Sequence, residues 1–399
     1  RASTSQPMWA SGQAALSPWN RVVVTTTSPI APSRTMRMRW LITQDGNGAP
    51  HYDDGMQRWS NEPLPPSPMI SVIANDAIGN FVIATSMAVM LRRRFPGARL
   101  DLWSGNRVRE LVGSNSVFDG LHEFLREAEE SIRARVSSVP RPDLIINIED
   151  SEQARVLPCL LAGPSSRVCG PALDASGAAL PWPSDDRGAL WADRAWTAPD
   201  VMARHPFLRS HYIGEFFCRL AYLEGDVPQA QVLREPWAGV QPDVLIAMSA
   251  SLQDKLWSTQ AWVDALAELR QQRLDVGLIG AAPTAQKAHW LGSDAEDEVV
   301  RRGLAIDMRG ALRLPQVVDC MSRARLVLTL DNGIMHLAAT TKVPVVALFR
   351  HGIHRLWKPS WGTVEAVVAD PQQPVSTISV ERVLHACAIG LDSGRQPVR

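Results

Sequence analysis

The stretch Leu326-Val-Leu-Thr-Leu-Asp331-Asn332-Gly333-Ile334-Met335-His336-Leu337-Ala338-Ala339 reads as a buried strand that stops on an acid. It then turns through Asn-Gly and enters a helix carrying a histidine on its first turn. The apolar run is continuous rather than alternating, as expected for a strand of a parallel sheet covered on both faces. In open α/β sheets ligands settle beyond the carboxyl ends of strands. Helix N-termini there offer free N–H groups and the positive end of a dipole to phosphate. An acid, a glycine and a histidine at such an edge suggest a site for a phosphorylated ligand that also carries hydroxyls. The same residues also fit a plain strand–turn–helix connection with a solvated histidine.

Outward from this stretch the alternation repeats. Val244-Leu-Ile-Ala-Met248 and Asp275-Val-Gly-Leu-Ile-Gly280 read as strands before it, and Val343-Pro-Val-Val-Ala-Leu-Phe349 as the strand after it. Helices are expected over about 259 to 271, 314 to 322 and 334 to 341. An earlier series has strands at Met69-Ile-Ser-Val-Ile-Ala, Arg99-Leu-Asp-Leu-Trp and Asp143-Leu-Ile-Ile-Asn-Ile148, with a helix from Phe81 to Arg94. Repeated βα units predict an α/β fold with two parallel sheets. Residues 171 to 242 are rich in Pro and Trp, and Glu235-Pro-Trp-Ala-Gly-Val-Gln-Pro242 reads as an interdomain linker. The expected division is a partly ordered N-terminal extension over 1–68, a first Rossmann-like domain over 69–236 and a second over 237–399. The extension holds two β-like pieces, Arg21-Val-Val-Val-Thr and Met36-Arg-Met-Arg-Trp-Leu-Ile, and ends on Pro63-Leu-Pro-Pro-Ser-Pro68, which cannot continue a helix or a central strand. Two α/β domains in series enclose a cleft, a common place for a ligand.

Lys+Arg and Asp+Glu both count 41 in 399 residues, which argues against nucleic acid as the main partner. The run Leu91-Arg92-Arg93-Arg94 reads as cations ending a helix. The longest apolar run, near Phe81 to Leu91, is broken by Thr85 and Ser86 and is too short for a transmembrane segment. The opening Arg1-Ala-Ser-Thr-Ser has no apolar signal core, so a cytoplasmic protein is expected. Five cysteines without C-x-x-C spacing suit reduced, mostly buried thiols. Fourteen Trp against three Tyr and eight Phe fit core or boundary residues, and lend some support to a carbohydrate ligand.

Three clusters should meet at the cleft. In Asn75-Asp76-Ala77-Ile78-Gly79-Asn80, Gly79 permits close backbone approach and Asp76 reads as a base or a helix-cap acid. In Met248-Ser249-Ala250-Ser251-Leu252-Gln253-Asp254-Lys255-Leu256-Trp257, Ser249 and Ser251 offer hydrogen bonds and Lys255 a point charge to a diphosphate, or the segment is a surface loop. The turn at Asp331 is the third.

Together these residues resemble the heptosyltransferase family, glycosyltransferase family 9. These are bacterial, ADP-heptose-dependent enzymes with the two-domain GT-B fold. Asp331-Asn332-Gly333-Ile334-Met335-His336-Leu337-Ala338 is similar to the family's Asp-Ser/Thr-Gly-x-x-His-Leu-Ala element, Lys255 and Trp257 to its Lys-x-Trp, and Asp76 to Val82 to its N-terminal Gly-Asp loop. The resemblance covers roughly residues 69 to 390. It implies that Asp331, Asn332 and Gly333 hold the donor diphosphate and sugar hydroxyls with His336 beside them. Lys255, with Ser249 or Ser251, would neutralise the leaving diphosphate without a metal, and Leu312 would pack on adenine. No cofactor is implied beyond the nucleotide sugar. The partners would be that donor and a glycan, protein or natural-product acceptor.

The sequence also departs from the pattern. The family's general base is an aspartate where this chain has Asn80, and an amide cannot accept the acceptor's proton. Either Asp76 or another acid replaces it, or the chain is a catalytically impaired nucleotide-sugar-binding or scaffolding protein. The family's Gly-Pro-Thr after the last strand gives way to Arg350-His351-Gly352-Ile353-His354-Arg355. Arg350 and His351 there read as contacts to the donor phosphate, or the segment is a solvated loop. His351 and His354 lack a nearby acid and make a poor metal set.

Overall fold

A computed structural model describes residues 56–113 and 116–393. The first sheet holds β1 (Gln57–Arg58), β2 (Met69–Ile73), β3 (Arg99–Ser104), β4 (Gly120–Glu123), β5 (Leu144–Asn147) and β6 (Arg167–Cys169). The second holds β7 (Val244–Ala247), β8 (Val276–Leu278), β9 (Ile306–Asp307), β10 (Leu326–Leu330), β11 (Val345–Phe349) and β12 (Val364–Val368). The orders are β1-β6-β5-β2-β3-β4 and β12-β11-β10-β7-β8-β9, and every pairing is parallel. In each sheet the chain winds outward through three strands, returns to the middle and winds out the other way. Ligand crevices open where it reverses, between β2 and β5 and between β7 and β10.

The central strands β5, β7, β10 and β11 are buried along their whole length, which is why they read as continuous apolar runs. Helix Ile78–Arg94 is buried from Phe81 to Leu91, because it packs on its own domain and also on helix Gly333–Ala339 of the second. One apolar cluster therefore runs through both domains, joining Phe81, Met87 and Phe216 to Met335, Leu337 and Trp357. The basic run closes helix Ile78–Arg94 as expected: Arg92 donates to Asp119 at 2.6 Å and Arg94 to the Tyr222 carbonyl at 2.8 Å.

One feature differs from the expected layout. Strand β1 lies inside the segment read as an extension. It pairs with β6, and the adjoining Trp59 is fully buried, so the first domain begins before Met69. The β-like pieces at 21–25 and 36–42 lie outside the described residues. The final helix, Val380–Ser393, packs on β10, β11, β12 and helix Thr259–Gln271 of the second domain, where Gly390 gives it close access to Leu326 and Pro344.

The Pro- and Trp-rich segment folds onto the first domain around its own aromatic cluster. Trp182 stacks on Trp191 at 5.1 Å and Trp196 meets Phe216 edge-on at 5.2 Å. Trp59, Trp103, Trp191, Trp196, Trp257 and Trp262 are all buried, so these rings are core residues rather than sugar platforms. The linker is strapped down, with the Trp237 N–H donating to Asp319 at 2.9 Å and the Glu235 N–H to the Pro315 carbonyl at 3.1 Å. Four of the five cysteines are buried and all are free thiols. Among the described residues no helix is long and apolar enough to cross a membrane.

Candidate active site

The second domain contributes the loops that leave β7 and β10 on either side of their crevice. Strand β10 ends at Leu330, Asp331 follows, and Asn332 in extended conformation is the N-cap of helix Gly333–Ala339. The Asn332 side-chain oxygen accepts N–H bonds from Ile334 at 3.0 Å and Met335 at 3.2 Å. Its amide nitrogen donates to the Ser249 carbonyl at 3.0 Å. One side chain thus caps the helix and ties the two strand exits together. It also takes two of the helix N–H groups that the sequence reading left free for phosphate.

Lys255 reaches the same place. Its ammonium lies 2.8 Å from Asp331 Oδ2 and donates to the Asp331 carbonyl at 3.2 Å. Both side chains are about nine-tenths buried, so each charge depends on the other. A lysine has three donors, which leaves one for a ligand. Trp257 fixes the end of this segment by donating to the Ile378 carbonyl at 2.8 Å. Ser249 Oγ accepts from Gln286, whose amide also donates to Glu296 at 3.0 Å. Glu296 is fully buried, and burial raises its carboxyl above the ordinary range. Arg309 steadies it at 3.4 Å while also pairing with Asp297 and Asp307, each at 2.9 Å. Ser251 is half-buried on the same loop.

The first domain presents the loops after β2, β3, β4 and β5. Asn75 accepts the Ala77 N–H at 2.7 Å, and Ala77, not Asp76, occupies the N-cap without a side-chain cap bond. Asp76 is 1% exposed, is ion-paired to Arg126 and lies against Gly105. The helix-cap reading of Asp76 is thus replaced by an ion pair between its buried carboxylate and the largely exposed Arg126. As a base it would have to give up that cation. Asn80 is half-buried in the first turn of the helix. On the other side of β2, Glu149 is buried at the exit of β5. It accepts the Ser151 N–H at 3.0 Å, and the Asn75 side chain lies beside it. Burial raises its carboxyl above the ordinary range despite those neighbours.

The two halves touch at the opening motif. A β-carbon on Gly79 would lie 2.7 Å from the His336 ring, and one on Gly333 would lie 2.8 Å from Ile78. His336 is 3% exposed and meets Trp357 edge-on at 6.1 Å. Burial lowers its imidazole to about 4, Asp331 opposing and Lys255 reinforcing the shift. The ring is neutral and packed between domains, so it brings no positive charge to a diphosphate.

The remaining candidates line the rim. Arg350 pairs with Asp254 at 2.6 Å, so its charge is partly spoken for. His351 is exposed. The His354 imidazole is lowered by burial, then by Arg355, His351 and Lys358. Leu312 is half-buried against the shared core, beyond the β9 exit. Across the mouth, Arg107 of the first domain sits over the Trp290 ring at 5.7 Å. The Leu314 N–H donates to Glu110 at 2.8 Å. Sequence reasoning missed Arg126, Glu149, Gln286, Glu296, Arg309 and Trp290. Apart from Glu149, which directly follows a predicted strand, their sequence surroundings carry no motif.

Two Rossmann-type parallel sheets, joined where helix Ile78–Arg94 meets helix Gly333–Ala339, make a GT-B architecture. Residues 218–384 match the sequence model of Glycosyltransferase family 9 (heptosyltransferase), a segment containing the whole second sheet. Over that segment the chain is similar to glycosyltransferase family 9. Among solved structures, the chain is similar to a family 9 glycosyl transferase from Veillonella parvula, with a TM-score of 0.60 at 14% identity over 82% of this chain and 97% of that one. It is also similar to the ADP-heptose lps heptosyltransferase II of E. coli, with a TM-score of 0.60 at 18% identity over 82% of this chain and 100% of that one. A third likeness is to an E. coli heptosyltransferase solved with ADP, with a TM-score of 0.56 at 13% identity over 81% and 99% of the two chains. At these identities the likeness establishes the fold. Among curated protein sequences, none matches.

Proposed function

We propose that the protein transfers a heptose or related sugar from an ADP-sugar to an acceptor hydroxyl, without a metal. The observation that carries this reading is the buried Lys255–Asp331 pair at the β7/β10 crevice, beside the Asn332–Ser249 tie. A diphosphate entering there meets the free ammonium donor and the Ser249 and Ser251 hydroxyls. The ammonium offsets charge developing on the leaving oxygen, a task often given to a cation. Asp331, held at one oxygen by Lys255, has its other oxygen for a sugar hydroxyl. Leu312 offers an apolar face to the base. The acceptor enters from the first domain, and closure around both substrates removes water and aligns the reacting atoms.

Support for an adenine nucleotide comes from the similar E. coli proteins, one described as an ADP-heptose enzyme and one solved with ADP. Isothermal titration of the full chain with ADP and with UDP tests the donor. ADP should bind more tightly, and a folded chain that binds neither overturns the reading.

A further inference from the structure

The acid that accepts the acceptor's proton is left open by the sequence, since Asn80 cannot do so. At the first domain's carboxyl edge, Asp76 is tied to Arg126 and Asp150 faces Arg155 at 3.8 Å. Glu149, by contrast, has no ion-pair partner among the described residues. It follows β5 at the point where β5 and β2 are neighbours and the order of the chain reverses, the switch point of this sheet. The site is rigidly built. The Asn147 side chain accepts the Glu149 N–H at 2.9 Å and donates to the Ala154 and Pro171 carbonyls at 2.8 and 2.7 Å. Asn75, whose loop continues through Gly79 to the His336 contact, lies beside the Glu149 carboxyl and favours its charged form.

We propose that Glu149 is the general base of the transfer reaction; this rests on the transferase reading above. The Glu149 carboxylate takes the proton of the acceptor hydroxyl as that oxygen's electron pair bonds to the anomeric carbon. The carbon–oxygen bond to the β-phosphate breaks, and its electrons leave with the nucleoside diphosphate beside Lys255. The products are the glycoside, the diphosphate and a protonated Glu149, which returns its proton to water. Glu149 is suited to this role because no cation holds its charge. Its surroundings are the Ser151 N–H, the Asn75 amide and the like charge of Asp150, and burial is the largest influence raising its carboxyl. A base so raised draws a proton more strongly than an ordinary glutamate.

The test measures ADP release from ADP-heptose, with water or added acceptors, by the full chain and its Glu149→Gln, Glu149→Asp and Asp76→Asn variants. ADP affinity is measured alongside by titration. Glu149→Gln should lower turnover about 100-fold or more with ADP affinity unchanged. Glu149→Asp should recover part of the rate. The unmodified chain should show an acid limb in its pH profile above the ordinary glutamate range, and Glu149→Gln should abolish it. Turnover of Glu149→Gln within about threefold of the parent, or an unchanged acid limb, overturns the assignment. So does a larger loss in Asp76→Asn with ADP binding intact. A parent chain that binds ADP but releases none from ADP-heptose also refutes a base at Glu149. A parent that binds no ADP removes the transferase reading itself and the role of Glu149 with it.

Discussion

The His336 ring of the second domain rests on Gly79 of the first, so closely that a β-carbon at position 79 would come within 2.7 Å of it. The glycine is therefore required by its neighbour on the other domain. Gly79→Ala should force the helix starts apart, lowering stability by about 1–3 kcal/mol and turnover more than ADP affinity. Thermal unfolding and steady-state kinetics check both.

The same histidine makes stability depend on pH. Its imidazole is held at about 4 in the folded chain, against about 6.5 unfolded. Between those values the unfolded chain binds a proton that the folded chain does not, so stability rises with pH in that window. The contribution, about 3 kcal/mol, is complete above pH 6.5 and is lost as pH falls toward 4. Denaturant titrations at pH 7 and pH 5 should show the drop, and His336→Gln should flatten it.

Lys255 and Asp331 should fail separately and recover together in one respect only. Lys255→Met leaves a buried carboxylate without its cation, costing about 3–5 kcal/mol, and should weaken ADP binding at least about tenfold. The double variant Lys255→Met, Asp331→Leu should regain much of the stability and none of the affinity. Restored ADP binding in the double variant would show that the pair is structural.

Asn332 combines a helix cap with a tie between strands, and two substitutions separate them. Asn332→Ala loses both and should cost about 1 kcal/mol for the cap alone. Asn332→Asp keeps an acceptor for the Ile334 and Met335 N–H groups but loses the donor to Ser249. It also places a negative charge beside the proposed diphosphate site. It should unfold near the parent's temperature and bind ADP more weakly.

Sequence periodicity located the sheets because their central strands are buried on both faces. The helix over Thr259–Gln271 matches its expected span, since Ser258 caps it and accepts the Ala261 N–H at 3.1 Å. Strand β1 was missed because a two-residue strand has no period to read. The candidate site was legible where polar residues follow closely on a strand exit, as at Asp331. It was illegible where partners come from distant segments. Nothing around Arg126 says that it neutralises Asp76, and nothing around Gln286 says that it holds the Ser249 hydroxyl. Asp76 illustrates the limit, because cap and ion-pair partner ask for the same residue type.

The pairing of Gln57 and Arg58 with Arg167 and Val168 bears on the order of folding. These residues belong to the earliest described part of the chain, yet their partner strand is made only after β2 to β5. Loop closure over that separation brings no contact until β6 exists. During synthesis the first strand of the sheet is thus the last to be seated, with Trp59 waiting for a pocket that the rest of the domain has yet to form.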